Sequence, residues 1–214
     1  MAKRGHDQDA EASRDRILVA TLRHVPFEGW TGAALARGVT DAGLSPDMAL
    51  RAFPAGIPEL VEHYGAFANR RMLAALDGKT LGALRVRDRV AAAVRARIEQ
   101  AAPHREAVRR LMAYLALPQN APLAAKLAYR MANAVWYAAG DTSVDFNFYT
   151  KRALLAGVYT STLLYWLQDE GGGSGDFPDT WAFLDRRIGD VLKIFGWPKR
   201  VREGLASAFA GLRG

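Results

Sequence analysis

The chain of 214 residues contains no cysteine and only four histidines. The lack of cysteine excludes disulfides, thiolate catalysis and cysteine-ligated zinc, and it fits a reducing compartment. The histidines are scattered over different segments. Glu59 and His63 lie one helical turn apart, but no second acid–histidine pair accompanies them as a di-iron bundle requires. We therefore predict no metal site and no cofactor.

Catalytic motifs are missing as well. There is no P-loop, nucleophile elbow or dinucleotide fingerprint, and the glycine-rich segment Gly171 to Gly175 lacks the Lys-Ser/Thr of a phosphate loop. Asp141 and Asp145 flank the predicted start of a helix, where carboxylates stabilise the helix dipole and the free N–H groups. We predict a protein that is not an enzyme. Catalysis by Asp141 or Asp145 is the weaker alternative.

Long apolar runs are also absent. The longest uncharged run, Ala153 to Gln168, has about 16 residues, whereas a spanning helix needs about 20 mostly apolar ones. The polar start, Met1 to Asp15, resembles neither a secretion signal nor a transit peptide. Half of the residues are hydrophobic, which is typical of a globular protein, and the net charge of +7 favours an anionic partner.

The apolar spacing is helical throughout, without strand alternation, and predicts an all-α protein of about ten helices. Three short helices and a longer one give helix-turn-helix spacing in the N-terminal part. The recognition helix, Pro46 to Arg51, offers one cation and one anion. Sequence-specific DNA-binding proteins need side chains that anchor phosphates and side chains that contact bases. We therefore interpret the DNA-reading function of this helix as lost. The four helices are predicted over about Glu11–Val25, Trp30–Val39, Ser45–Ala52 and Pro58–Leu76.

Further helices follow along the chain, and the first of them has a predicted buried stripe of Leu84, Val90, Val94 and Ile98. They are predicted over about Leu81–Ala102, Arg105–Leu115, Leu123–Ala138 and Thr180–Ile194. A further long helix is predicted to follow a capping box at Thr142 to Asp145 and to end at about Leu167. The last segment is amphipathic, with a basic side and an apolar side, and this pattern is suited to a membrane interface. An ordinary packed helix or a dimer contact is its alternative. Its apolar side contains Trp197, Val201, Leu205, Phe209 and Leu212.

The uncharged helix from Ala153 to Gln168 must be buried in a core or in contact with lipid, because it is apolar all round. Its small residues Ala153, Ala156 and Gly157 leave room for close helix packing or for a ligand. We predict a buried central helix that also lines a lipid cavity. The predicted lipid-binding residues are Leu154, Leu155, Val158, Tyr159, Thr162 and Trp166.

Four segments of the sequence resemble the ninth Coq protein family, whose members are accessory factors of ubiquinone biosynthesis. They are GDTSVDFNFYTKRALLA at 140–156, DTWAFL at 179–184, HVPFEGW at 24–30 and RRML at 70–73. The resemblance covers about residues 13–194 and implies a TetR-like fold, a homodimer and no catalytic activity. It also implies an apolar cavity for isoprenoid lipids, quinone intermediates or phospholipid. We predict four parts of the chain: a flexible tail (1–12), a degenerate helix-turn-helix-like domain (13–77), a lipid-binding helical bundle (78–195) and a C-terminal amphipathic helix (196–214).

The resemblance further implies a surface patch that presents ubiquinone intermediates to a di-iron hydroxylase. Phe148 stands where a Trp is more usual in the family, and Val135 replaces a longer Met. Eukaryotic members carry a mitochondrial presequence, which the start of this sequence does not resemble. We therefore expect a bacterial protein, cytoplasmic and peripheral on the inner membrane. The patch would consist of Val135, Trp136, Asp145, Phe148, Tyr149 and Arg152.

A ligand-responsive transcriptional repressor of the TetR type remains the alternative function. It would share the fold, the dimer and the apolar pocket with the lipid-binding protein. It differs in requiring DNA binding that is sequence-specific and falls steeply with salt. Because the recognition helix lacks phosphate anchors, we expect no sequence-specific nucleic acid partner.

Overall fold

The computed structural model describes residues 2–77, 81–140, 147–171, 175–191 and 193, and of residues 2–8, 147 and 148 it describes the backbone alone. Within these ranges every regular element is helical, as the spacing predicts. The α-helices are α1 (Ala2–Thr21), α2 (Val25–Glu28), α3 (Gly32–Asp41), α4 (Met48–Ala52), α5 (Ile57–Leu76), α6 (Val86–Ala101), α7 (Arg105–Leu115), α8 (Ala121–Ala138), α9 (Asn147–Trp166) and α10 (residues 178–191). Short 3₁₀ turns occupy Leu81–Ala83, Ala102–His104 and Pro118–Asn120.

Contacts group the chain into two compact units, Met1–Ser143 and Val144–Gly214. The boundary expected at residues 77/78 falls inside the first unit, and a side chain shows why. The indole Nε1 of Trp30 donates to the carbonyl of Ala107 at 3.1 Å, and its ring meets Tyr64 edge to face with centroids 5.5 Å apart. The buried Trp30 thus links the N-terminal helices to α7, so they share one core with α5–α8.

Helices α1 and α3 approach each other closely at Gly38. A Cβ placed on Gly38 would lie 2.7 Å from the Cα of Thr21, and the Thr21 hydroxyl donates to the carbonyl of Ile17 at 2.8 Å. Helix α3 begins after Thr31, whose hydroxyl accepts from the Ala34 amide at 3.3 Å. This hydroxyl satisfies one of the free N–H groups of the first turn. Only a glycine at position 38 allows α1 and α3 to pack this closely.

The recognition helix is shorter than the sequence predicts. It is α4, which begins at Met48 rather than at Ser45. Its cation and anion bind each other, because Arg51 Nε lies 3.0 Å from Asp47 Oδ2 one turn away. A hydrogen bond from the Ser45 side chain lowers the pKa of Asp47, and Arg51 lowers it further. The charge of Arg51 is therefore partly matched by Asp47, the residue that immediately precedes α4.

The start of the chain also differs from the prediction. Helix α1 extends back to Ala2, whereas the apolar spacing indicates a helix from about Glu11. A polar helix carries no apolar period, so the sequence shows no sign of these first turns. The four-residue helix α2 is also absent from the prediction, because Pro26 indicates a stop. Proline is tolerated in the first turn of a helix, where its missing N–H costs nothing.

Helix α6 confirms most of the predicted stripe, since Val90, Val94 and Ile98 are buried. The prediction is wrong for Leu84, which is exposed. Leu84 precedes the first residue of α6, Val86, and therefore does not share the helical period of the other three. The stripe packs toward α5 and α8, the two helices with which α6 makes most of its contacts.

A partly buried polar cluster joins α1 to α5. His63 Nε2 lies 2.7 Å from Asp15 Oδ1, and Arg70 Nη2 donates to both oxygens of Asp15 at 2.7 and 2.9 Å. Burial lowers the pKa of His63, and this effect exceeds the opposing effect of its hydrogen bond to Asp15. His63 therefore favours the neutral form in the folded protein. Its neighbour Glu59 binds Arg14 instead, so Glu59 and His63 have separate partners.

Candidate functional site

The predicted lipid-binding residues share one side of α9. At 100° per residue they span an arc of about 140°. Leu155, Val158, Thr162 and Trp166 are buried in the middle of this arc, while Leu154 and Tyr159 are half-buried at its two margins. The structure thus brings all six to one face, with four in the core and two at its edges.

The hydroxyl groups on this face are satisfied within the helix. The Thr162 Oγ1 donates to the Val158 carbonyl at 2.7 Å, and the Ser161 Oγ donates to the same oxygen at 3.0 Å. A hydroxyl that donates to a carbonyl of its own helix does not donate to another partner. The buried side of α9 therefore presents hydrocarbon rather than free polar groups to its surroundings.

The opposite side of α9 is exposed although it carries no charge after Arg152. Ala153, Gly157 and Leu164 are exposed on this side, and a Cβ placed on Gly157 would meet no atom within 4 Å. An uncharged exposed face on a helix is typical of a contact surface. The exposure pattern of α9 is thus compatible with both predicted uses of this helix, burial in a core and contact with lipid.

The segment between α9 and α10 is held by one carboxylate that the sequence did not single out. The Asp169 Oδ1 accepts from the Gly171 amide at 2.9 Å. Its Oδ2 accepts from the Thr180 amide at 3.1 Å and from the Thr180 hydroxyl at 2.6 Å. An Asp two residues before a Gly is the available signal, because aspartate bonds the backbone two residues on. Asp169 fixes the position of the first turn of α10 relative to the end of α9.

The same segment closes over the end of the buried face. The rings of Trp166 and Phe177 meet edge to face, and the Tyr165 and Phe183 rings stack with centroids 4.6 Å apart. In α10, Leu184 and Ile188 are buried, as the apolar period predicts. The described part of the second unit therefore consists of two helices, α9 and α10, with aromatic contacts at the end of α9.

The residues of the predicted docking patch differ in exposure. In the first unit Val135 is fully buried and Trp136 is half-buried, and in the second unit Tyr149 is exposed and Arg152 is buried. Tyr149 and Arg152 lie on neighbouring positions of α9, three residues apart. Asp145 and the side chain of Phe148 lie outside the described residues. Among the patch residues that are described, Tyr149 offers the most accessible side chain.

Other predictions also fall outside the described residues. They concern the capping box at Thr142 to Asp145 and the amphipathic membrane helix with Trp197, Val201, Leu205, Phe209 and Leu212. In the part of the chain that the structure describes, no helix combines the length and the apolarity needed to cross a membrane.

Comparison with known proteins identifies the family of this chain. The COQ9 family model matches residues 121–194, which contain α8, α9 and α10. The ubiquinone biosynthesis protein COQ9 of Rattus norvegicus, a mitochondrial protein, is 37% identical over 97% of this chain and 67% of its own length. This chain belongs to the COQ9 family. The human protein of the same name is 35% identical over 97% of this chain and 66% of its own length. The chain thus spans about two thirds of the length of these relatives.

A solved structure confirms the predicted fold class. The TetR transcriptional regulator of Nitrosomonas europaea superposes with a TM-score of 0.64 over 82% of this chain and 95% of that chain. The two sequences are 20% identical, so the likeness concerns the fold alone. The fold is therefore all-α and TetR-like, as the helix-turn-helix spacing and the family resemblance predict.

Proposed function

We propose that this chain is a non-catalytic lipid-binding accessory protein of ubiquinone biosynthesis. Membership of the COQ9 family supports a role in that pathway. The lipid proposal rests on the exposure pattern of α9. Its apolar face is continuous, and the residues at the two margins, Leu154 and Tyr159, are half-buried. An isoprenoid tail needs apolar contact and no polar motif, and each buried CH₂ contributes about 0.8 kcal/mol.

A pair of charge substitutions tests this site. We expect Leu154→Glu to reduce the isoprenoid lipid that co-purifies with the chain, because a carboxylate at the margin of the face is costly to bury. Leu117→Glu is the matched control, since Leu117 is an exposed leucine of the first unit. Equal lipid loss in both variants, or none in either, would contradict the assignment to α9.

The proposed partner is a hydroxylase of the ubiquinone pathway, which docks on the predicted patch and receives a quinone intermediate. Among the described residues of the patch, Tyr149 is exposed, whereas Arg152, three positions further along α9, is buried. Exposed aromatic residues are frequent hot spots of protein interfaces. We expect Tyr149→Ala to weaken capture of the hydroxylase at least about tenfold. Leu50→Ala, which removes an exposed side chain from α4, is expected to leave capture unchanged.

Membrane association and dimer formation complete the proposal. The segment from Trp197 to Leu212 would bind the membrane interface, and the exposed uncharged side of α9 would contact a second copy. We propose that the protein works at the cytoplasmic face of a bacterial inner membrane. Deletion of residues 197–214 is expected to abolish liposome flotation, and Gly157→Leu is expected to shift sedimentation toward the monomer.

A TetR-type repressor is the second candidate function, and the TetR-like fold is the observation that favours it. The pair Arg51–Asp47 argues against it, because the cation of α4 is already matched by an anion one turn away. Gel-shift experiments across a salt series test this candidate with a pool of random DNA sequences. Enrichment of one sequence would favour the repressor, whereas weak and unselective retention would agree with the accessory role.

A further inference from the structure

Three basic residues of the first unit lie on segments that meet beside the start of α7. Arg23 lies between α1 and α2, Arg71 belongs to α5, and His104 immediately precedes α7. Arg23 and Arg71 are exposed, and His104 is half-buried. None of the three belongs to the predicted lipid face or to the predicted docking patch.

Trp30 holds these segments together. Its ring contacts Tyr64 of α5, and its indole N–H donates to the carbonyl of Ala107, which lies one turn after His104. Arg71 follows Tyr64 by seven residues, close to two full turns, so both lie on the same side of α5. Helix α2, which begins two residues after Arg23, also contacts α7. The side of α5 that carries Arg71 therefore faces the start of α7.

The two guanidinium groups lie close enough to the imidazole to affect its protonation. Burial lowers the pKa of His104, and the positive charges of Arg71 and Arg23 lower it further. No carboxylate among the described residues raises this pKa in return. The positive groups thus disfavour one another, and His104 favours the neutral form.

Arg23, Arg71 and His104 have no anionic partner in the described part of the chain. None of them forms a hydrogen bond or an ion pair there. The Arg71 guanidinium lies over the ring of Phe67 at 5.6 Å from the centroid. A contact with the face of a ring leaves the N–H groups at the guanidinium edge available to donate.

The acidic residues on either side of His104 in the sequence are already matched. Glu99 Oε1 lies 2.7 Å from Arg95 Nε, and Glu106 Oε2 lies 3.0 Å from Arg109 Nε. Several other arginines of the first unit are also paired with acids. They are Arg14 with Glu59, Arg37 with Glu28, Arg51 with Asp47 and Arg70 with Asp15. An anion from outside the chain would therefore offset the repulsion around His104.

We propose that Arg23, Arg71 and His104 form a binding site for the phosphate group of a ligand. A phosphate is tetrahedral and has three strong acceptor oxygens, so it can accept from donors on three segments at once. A carboxylate has two acceptor oxygens in one plane and matches such a cluster less well. Because both arginines are exposed, the phosphate is either that of a free small molecule or that of a lipid headgroup. The site does not rest on the proposed function.

Isothermal titration of the full chain with inorganic pyrophosphate tests the two arginines. We expect saturable binding, and we expect Arg23→Gln and Arg71→Gln each to weaken it about tenfold, because each removes a charge-assisted hydrogen bond. Arg51→Gln is the matched control, since it removes the same charge from an exposed arginine of α4. Its affinity is expected to change by less than about twofold. Circular dichroism checks that the variants remain folded.

Titration with sulfate tests the imidazole, because sulfate remains a dianion between pH 7.5 and 5.5. A bound dianion favours the protonated form of His104, so binding takes up a proton and becomes tighter as the pH falls. We expect His104→Gln to retain binding that depends on the two arginines but to lose most of this increase. Arg51→Gln is expected to keep the increase. An increase of the same size in His104→Gln would contradict the assignment of His104.

A soluble short-chain phosphatidate distinguishes the two sources of the phosphate. If it binds more tightly than pyrophosphate and the Arg71→Gln variant loses this binding, the ligand is a lipid headgroup. The reverse order supports a free phosphorylated molecule.

Four results would overturn the phosphate site. They are the absence of saturable binding of both probes, an equal loss of affinity in Arg51→Gln, binding of acetate as tight as that of sulfate, and binding of random-sequence DNA through the two arginines without binding of pyrophosphate. The last result would assign the cluster to nucleic acid.

Discussion

The rings of Trp166 and Phe177 meet edge to face, with centroids 6.0 Å apart and planes at 72°. Trp166 ends α9, and Phe177 immediately precedes α10. Phe177 is also the non-glycine residue with positive φ in the described part of the chain, at 50°. The contact therefore involves a backbone conformation that is unusual for a residue other than glycine.

Gly171 is predicted to be essential for this contact. Its φ is 71°, and a Cβ there would lie 2.9 Å from Cε1 of Phe177. We expect Gly171→Ala to lower the free energy of unfolding by about 2 kcal/mol or more, through backbone strain and displacement of the ring. Gly175→Ala is the control, since Gly175 has a φ of 74° but open space at its Cβ. Hydrogen exchange across residues 178–184 should rise more in Gly171→Ala, and equal effects in both variants would contradict the ring contact.

The packing of α1 on α3 gives a second prediction. Gly38→Ala forces a Cβ within 2.7 Å of the Thr21 backbone, which cannot move aside as a flexible side chain could. We expect a loss of about 1–3 kcal/mol in the free energy of unfolding, measured by urea denaturation. Gly32→Ala on the same helix meets no atom within 4 Å and is expected to change stability by less than about 0.5 kcal/mol. A stable Gly38→Ala variant would mean that α1 and α3 are farther apart.

Stability is predicted to decrease as the pH falls below about 6.5, the ordinary pKa of histidine. Burial lowers the pKa of His63, and burial together with Arg71 and Arg23 lowers the pKa of His104. The unfolded chain therefore binds more protons near pH 6, so the stability present above the unfolded pKa is lost as the pH falls. Each group contributes at most about 1.4 kcal/mol per pH unit.

Urea denaturation at pH 7.5, 6.5 and 5.5 measures this dependence. The His63→Gln variant should show a weaker dependence on pH than the unchanged chain, and His24→Gln serves as the control because His24 is a more exposed histidine paired with Asp41. A dependence that is the same in all three proteins would show that His63 does not cause it.

Helix positions were predictable where an apolar period continues without interruption. Helix α7 occupies the predicted range of Arg105–Leu115, and α9 ends within one residue of the prediction. Prediction failed where the local pattern did not carry the information. Leu84 fits the period of α6 by spacing alone, but the helix begins after it. A polar helical start such as that of α1 leaves no apolar pattern to detect.

The candidate site shows a similar division. The six α9 residues that were predicted to bind lipid share one face by helical spacing, and the structure places all six on one face. The role of Asp169 depends on Thr180, which lies 11 residues away, and local sequence patterns do not encode such a contact. Asn69 and Tyr129 are about 60 residues apart in the sequence but line the same groove between α5 and α8, which is likewise a product of tertiary packing. Contacts between distant segments required the structure.

Native mass spectrometry of the purified chain tests the central claim most directly. We predict a bound species with the mass of an isoprenoid quinone, a quinone precursor or a phospholipid, and less of it in Leu154→Glu than in Leu117→Glu. A chain that remains free of lipid after expression in cells that make ubiquinone, and that fails to take up lipid from liposomes, would contradict the account.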